Sequence, residues 1–210
     1  MRKSFVWSGL EEEQIAGSDQ AFGIKVGRIP RAMEGTKMNR LLVGVLAAGV
    51  TLAVNGCAIP RPDVPDSLKA PKGEKVLLVG HATGVQIYAC QSGANAPFTW
   101  TLTAPQADLT DSSGKSIIHH FVGPTWIHID GSEVAGKKVA QQDAPKPGAI
   151  PWLLLKATSH AGQGVLTRVT SIQRVNTDGG LPPHDTCNVS ASGREFKSPY
   201  SADYYFYVPK

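Results

Sequence analysis

Short runs of apolar or alternating side chains, separated by turn residues, follow one another along the chain from Lys75 onward. Each run is five to eleven residues long and rich in Val, Ile, Thr and aromatic residues, which is typical of β-strands. The predicted strands are Lys75–Val79, Gly84–Cys90, Phe98–Leu102, Ile117–Val122, Thr125–Ile129, Ile150–Ala157, Val165–Val175 and Tyr204–Val208.

Turn-forming sequences lie between these runs. Asp111-Ser112-Ser113-Gly114, Asp130-Gly131-Ser132 and Asp178-Gly179-Gly180 combine residues that tolerate positive φ or bond the local backbone. No segment repeats at a fixed period, which argues against a propeller or a solenoid. We therefore expect one all-β domain over residues 73–210, with about eight short strands. The pattern leaves a β-sandwich and a barrel-like fold open.

Two of the predicted strands carry unusual patterns. The consecutive residues Leu153-Leu154-Leu155, next to Trp152, indicate a strand that is buried on both faces, or one that lies at an interface. Val165–Val175 alternates for part of its length and places Arg168 and Arg174 on one face.

A different pattern precedes the domain. Residues Leu41–Val54 form an apolar run broken only by Thr51, and Lys37 and Arg40 lie just before it. An export signal consists of a basic region, an apolar stretch of about 7–15 residues and small residues at the cleavage site. The run is shorter than the roughly 20 apolar residues that a transmembrane helix needs. The sequence therefore predicts export.

The end of this run resembles the lipobox of bacterial lipoproteins. Val54-Asn55-Gly56-Cys57 places an aliphatic residue three positions before a cysteine and a small residue directly before it. The resemblance implies that residues 38–56 are a lipoprotein signal peptide, and that Cys57 becomes the N-terminus and carries fatty acyl chains such as palmitate. Ala58, rather than Asp, follows the cysteine. We therefore expect a lipid-anchored protein of the cell envelope, on the outer membrane and facing the periplasm.

Two segments flank this signal peptide. Residues 1–37 hold charges of both signs without periodicity, whereas an export signal functions at the N-terminus of a chain. The simplest interpretation is that translation starts at Met38. Residues 1–37 would then be a disordered segment that is included only because the start site was placed too far upstream. Residues 57–72 contain four prolines, and we expect them to form a Pro-rich tether between the lipid and the domain.

Composition and charge exclude several classes of protein. The 210 residues are 41% hydrophobic and 18% charged, which is ordinary for a globular protein and unlike a disordered or polytopic membrane protein. The formal net charge of +4 falls to +2 from Cys57 onward, where 14 Lys and Arg residues accompany 12 Asp and Glu residues. Because no basic patch is clustered, we expect no nucleic-acid partner.

Two cysteines remain after Cys57. An even pair in an exported chain favours a disulfide between Cys90 and Cys187, and two buried free thiols are the alternative. No CxxC pair is present, so catalysis of thiol–disulfide exchange has little support.

Candidate binding residues are densest in residues 119–130. His119 and His120 are neighbours, so they point to opposite faces of a strand. Trp126 and His128 share a face of the next predicted strand.

A sharp turn at Gly123-Pro124 would allow His120, His128 and Asp130 to supply three metal ligands. The alternative, which we favour, is that imidazoles on strands bond water or backbone carbonyls. We predict no catalytic residue, no metal and no cofactor. The predicted binding candidates are His120, Trp126, His128 and Asp130.

The tryptophans offer a second kind of site. Trp100, Trp126 and Trp152 would suit a stacking platform for a sugar or an aromatic ligand, although tryptophans of β-sandwiches lie more often in the core.

An ordered series of motifs extends over nearly the whole domain, from about Val64 to Val208. The motifs are Gly84–Cys90, His120–Trp126 with Asp130-Gly131-Ser132, Ile150–Leu155, Ser171–Val175 with Gly179-Gly180, and Tyr204–Tyr207. This series resembles the exported bacterial and fungal family known as domain of unknown function 3455. The resemblance implies an exported, mostly β domain of unestablished activity.

Some relatives in that family carry a dehydrogenase label. The chain lacks the dinucleotide-binding fingerprint, because Gly162-Gln163-Gly164 begins a GxGxxG pattern that Thr167 breaks.

The function expected from the sequence is therefore binding or structural support at a membrane, to which the lipid anchor attaches the domain. The ligand stays unknown and a protein partner stays open. An exported metal-assisted enzyme centred on His120, His128 and Asp130 is one alternative, and a small-molecule- or glycan-binding protein is another.

Overall fold

The computed structural model describes residues 58–93 and 96–210. The predicted disordered start (residues 1–37), the signal peptide (residues 38–56) and the acylated Cys57 lie outside the described residues.

Eight antiparallel strands make up the domain, and they form one sheet. In the described residues the helical elements are three single 3-10 turns, at Asp66–Leu68, Val165–Arg168 and Val189–Ala191. No helix in this part of the chain is long and apolar enough to cross a membrane. The strands are β1 (Glu74–Gln91), β2 (Thr99–Thr110), β3 (Ser116–Phe121), β4 (Thr125–His128), β5 (Glu133–Gln142), β6 (Trp152–Ala161), β7 (Ser171–Gly179) and β8 (Glu195–Pro209).

The strand order is that of a closed barrel. Each strand pairs with the next along the chain, and β8 returns to pair with β1 from Glu74–Pro209 to Ala89–Glu195. This confirms the prediction of a single all-β domain.

The strands differ from the predicted ones in length and membership. The runs Lys75–Val79 and Gly84–Cys90 are parts of one strand, β1, which is 18 residues long. The run Val165–Val175 was predicted as one strand, but its first part is a 3-10 turn and only its second part belongs to β7. β5 was not predicted. The number of strands is therefore as expected, but three of them, β1, β2 and β8, are much longer than expected.

Close approach of neighbouring strands explains why β1 contains glycines. A Cβ added at Gly84 would collide with the Gln106 carbonyl oxygen and would lie 2.5 Å from Ala107 Cβ on β2. A Cβ at Gly80 would lie 2.8 Å from Leu109 Cδ2. These glycines resemble turn residues in the sequence, but they allow β1 to continue past tightly packed side chains of β2.

The core fills the inside of the barrel. Tyr200, Ala202, Tyr204 and Phe206 alternate along β8 and are at most 4% exposed. The intervening Tyr205 packs outside the barrel. This alternation follows from the pleat of a strand with both faces covered.

Part of the outer face of the barrel is covered by residues 61–72, here called the N-terminal segment. Val64 and Leu68 pack with Val175 against Leu154 on β6. The carbonyl oxygen of Leu68 accepts a hydrogen bond from Gln173 Nε2. From Arg61 onward the predicted tether (residues 57–72) is therefore packed on the barrel, because its apolar side chains have a barrel surface to pack on.

Arg61 fixes the beginning of the N-terminal segment. Its guanidinium lies 5.3 Å from the centre of the Tyr207 ring and donates hydrogen bonds to the carbonyl oxygens of Ala70, Pro71 and Glu74. The N-terminal segment is therefore packed against β6, β7 and β8. The covering also explains Leu153-Leu154-Leu155, since Leu154 lies under the segment and Leu155 lies in the barrel core.

A disulfide joins Cys90 on β1 to Cys187, in the connection before β8. This confirms the predicted pairing. Cys90 is fully buried, and its backbone N–H donates to the Arg194 carbonyl oxygen, so both bonds bring the connection close to the end of β1.

The packing of the N-terminal segment can be tested with Leu68→Ala. Because Leu68 is fully buried, the variant should lower the free energy of unfolding by about 2–5 kcal/mol, measured by urea denaturation. Leu181→Ala is the matched control, since Leu181 is 38% exposed. A free tether would give the two variants the same stability.

Candidate functional site

The barrel wall has an opening in its side, which follows from the lengths of its strands. β3 pairs with β2 only over residues 107–110 of β2, and β4 pairs with β5 only over residues 133–135 of β5. Both longer strands continue beyond the short β3–β4 hairpin. On that edge, no described strand therefore pairs with residues 99–106 of β2 or with residues 136–142 of β5.

A cavity of about 560 Å³ lies at this opening. Its apolar walls include Leu102 and Pro105 on β2, and Leu153 and Leu155 on β6. The turn residues Gly123-Pro124 also line it. The volume is within the range of pockets that hold small organic molecules.

A stacked pair of side chains, His120 and Trp126, lines the cavity on the side of β3 and β4. The two residues are opposite each other in the β3–β4 register, and their rings are parallel with centroids 4.5 Å apart. Tyr204 packs edge-on against both rings. The turn at Gly123-Pro124 therefore brings together two of the four predicted binding candidates.

His120 is neutral at physiological pH. It is 3% exposed, and its Nδ1 lies 2.9 Å from the Thr125 carbonyl oxygen. Burial lowers the pKa of His120 to about 4, and the positive charge of Arg174 adds to this effect. Since a carbonyl only accepts hydrogen bonds, the Nδ1 of the neutral ring carries the proton and Nε2 is left as an acceptor.

Arg174, on β7, also lines the cavity. It is 9% exposed, and its Nη2 donates a hydrogen bond of 2.8 Å to the Pro151 carbonyl oxygen. Arg174 makes no ion pair with any carboxylate in the described part of the chain. Its charge is therefore largely removed from water without a neutralising partner.

Three of the residues that line the cavity carry a buried side-chain nitrogen whose N–H has no hydrogen-bond partner among the described residues. The nitrogens are Gln86 Nε2, Trp126 Nε1 and Arg174 Nε. All three are donors, and a buried donor without an acceptor costs about 1–3 kcal/mol. The residues around the cavity thus carry unpaired buried donors and one unpaired positive charge.

The other two binding candidates, His128 and Asp130, do not line this cavity. Asp130 accepts hydrogen bonds from Ser132 N–H, Ser132 Oγ and Val165 N–H. The bonds from Ser132 Oγ and Val165 hold the pKa of Asp130 well below its usual range. Asp130 therefore connects the β4–β5 turn to the 3-10 turn that begins at Val165.

The structure does not assemble the alternative metal site. His128 Nδ1 lies 3.0 Å from Asp130 Oδ1, but His120 bonds to Thr125 and stacks on Trp126. No group of three or more His, Cys, Asp or Glu side chains in residues 58–93 and 96–210 is arranged to hold a metal ion. The alternative grouping of His120, His128 and Asp130 is corrected accordingly, because Asp130 is engaged in a turn.

The stacking platform, the less favoured possibility for the tryptophans, is not formed either. Trp126 is in the barrel core, Trp152 packs beneath the N-terminal segment, and Trp100 contacts Phe196 with ring centroids 6.4 Å apart. The three rings belong to three separate environments and do not form one surface.

Sequence reasoning missed Gln86 and Arg174 as site residues. The available signal was that both polar side chains lie within otherwise apolar strand patterns. Arg174 was expected to share a strand face with Arg168, but Arg168 is exposed on the 3-10 turn. The break in the strand at that turn separates the two arginines.

Comparison with known proteins identifies one family. The family model described as "Protein of unknown function (DUF3455)" matches residues 71–208. No curated protein and no solved structure matches the chain.

Buried His120 should make the stability of the barrel depend on pH. The pKa of His120 is 6.5 in an unfolded chain and about 4 in the barrel, so the unfolded chain binds an additional proton between these values. Stability should therefore fall as the pH is lowered through this window, by up to about 3 kcal/mol. Urea denaturation between pH 7 and about pH 4.5 measures this loss.

His120→Gln should reduce that loss, because glutamine does not titrate. His119→Gln, on the exposed face of the same strand, should retain it. An equal pH dependence in both variants would show that His120 is not the group responsible.

Proposed function

Because the chain belongs to the DUF3455 family, for which no function is described, we propose a function from the geometry. The domain is an exported, lipid-anchored binding protein that holds a small organic molecule in the side cavity of its barrel. The anchor attaches the domain to the outer membrane, facing the periplasm.

The observation that carries the binding role is the cavity between β2, β5 and β6. Leu102, Leu153 and Leu155 supply apolar surface, and Gln86 and Arg174 supply polar groups. Ligand sites combine these two kinds of surface, with few polar groups that orient the ligand.

The arrangement of His120 favours binding over proton transfer. Its Nδ1 is engaged by the Thr125 carbonyl oxygen and its ring is stacked on Trp126. A ring fixed in this way forms a rigid wall for a ligand.

Export and anchoring are supported by different observations. The basic and apolar residues that precede Cys57 have the pattern of a lipoprotein signal. The Cys90–Cys187 disulfide agrees with an oxidising compartment outside the cytosol. Two or more acyl chains on Cys57 would give stable membrane attachment, whereas one chain gives marginal binding.

Occupancy of the cavity can be tested with Nile red, an uncharged dye whose fluorescence rises in apolar surroundings. Ala104 lines the cavity, so Ala104→Phe should narrow it and weaken the dye's affinity by about tenfold or more, which corresponds to about 1.4 kcal/mol. A fluorescence titration measures the dissociation constant.

Thr99→Phe is the matched control, since Thr99 is exposed on the same strand and does not line the cavity. Equal weakening by both variants, or no binding to the unsubstituted protein, would contradict the proposed binding role.

Lipid attachment can be tested on protein made in a bacterium that processes lipoproteins. Mass spectrometry of the mature protein should show an N-terminal Cys57 carrying acyl chains, and the protein should be in the membrane fraction. Cys57→Ser should prevent acylation and signal cleavage at this site. Full-length protein recovered from the cytosol with an unmodified Cys57 would refute the anchor.

A further inference from the structure

We propose that the side cavity selects a monocarboxylate with an apolar body, whose carboxylate is bound by Arg174 together with the N–H groups of Gln86 and Trp126. This inference rests on the proposed binding function and names the chemical class of its ligand.

The charge of Arg174 is the first step of the argument. The side chain is 91% buried, from a relative exposure of 9%, and none of the described carboxylates pairs with it. None of the described residues that line the cavity is Asp or Glu. Removing a cation from water is costly unless an anion accompanies it. A bound anion would offset this cost.

The polarity of the unpartnered groups is the second step. Gln86 is 1% exposed and Trp126 is fully buried, and each keeps a donor that no described residue satisfies. A carboxylate is an acceptor with two oxygens and about four lone-pair sites, so it can receive several N–H groups at once. A ligand with an ammonium group would add donors where donors are already in surplus.

The amount of charge favours a carboxylate over a phosphate monoester. Arg174 is the buried cation of the described lining, while Lys137 and Lys138 are exposed at the edge of the cavity. Lys138 Nζ donates to Gln141 Oε1 at 2.6 Å. One buried positive charge balances one negative charge, and the planar guanidinium matches the planar carboxylate.

The remaining surface determines the body of the ligand. Leu102, Leu153 and Leu155 leave an apolar wall beside the donors. Each buried CH₂ group contributes about 0.8 kcal/mol. An aliphatic or aryl chain attached to the carboxylate therefore fits the rest of the cavity.

The first experiment varies the ligand and leaves the protein unchanged. Isothermal titration calorimetry compares octanoate with octanamide and octanol, which share the apolar chain but lack the charge. Octanoate should bind about 10- to 100-fold more tightly than either, the range expected for hydrogen bonds to a charged group. Equal affinity of the three would overturn the inference.

The second experiment varies the protein. Arg174→Met should remove the preference for octanoate, bringing its affinity close to that of octanol. Arg168→Met is the matched control, because Arg168 is exposed and should leave the preference unchanged. A preference that survives in Arg174→Met would assign the selectivity to another group and contradict the proposal.

The outcomes separate this inference from the proposed function. If Nile red and octanol bind but octanoate has no advantage, the cavity binds apolar molecules and only the inference on carboxylates fails. If Nile red, octanol and octanoate all fail to bind, both proposals fail.

Discussion

The pairing of β8 with β1 is the constraint on which the rest of the molecule depends. It runs from Glu74–Pro209 to Ala89–Glu195, nearly the full length of both strands. Once the sheet closes, the side chains on one face of every strand share a single interior, and any mismatch in strand length appears as an opening in the wall. The short β3–β4 hairpin between the longer β2 and β5 is such a mismatch, so the cavity is a consequence of closure.

Periodicity predicted the parts of the barrel in which alternation is undisturbed. It predicted the bounds of β3 and β4 to within one residue. It also placed Trp126 and His128 on one face, as the β3–β4 register requires. It failed on β5, whose exposed Lys137 and Lys138 lie at the side opening. Its pairing with β6 shifts register between Ala135 and Gly136 and again between Lys138 and Ala140, so apolar and polar residues do not alternate regularly along it.

The candidate site could be predicted only in part, because much of it depends on contacts between distant residues. His120 and Trp126 are six positions apart and meet through one hairpin, which a local pattern can indicate. Arg174 reaches the same cavity from β7, and its separation from Arg168 depends on a 3-10 turn. A strand pattern could not reveal that turn, since Val165–Arg168 has the composition of a strand. Asp130 binds the N–H of Val165 beside it, and that contact is long-range in sequence.

The position of the N-terminal segment has a consequence for the proposed lipid anchor. Arg61 is fixed against Tyr207 and three carbonyl groups, and it is four residues beyond Cys57. Four residues in the most extended conformation span at most about 14 Å. If Cys57 carries acyl chains, as proposed, this short connection would hold the barrel directly above the lipid headgroups. The barrel could then turn only a few of its faces toward the bilayer. Lipids and soluble molecules would therefore contact different sides of the protein.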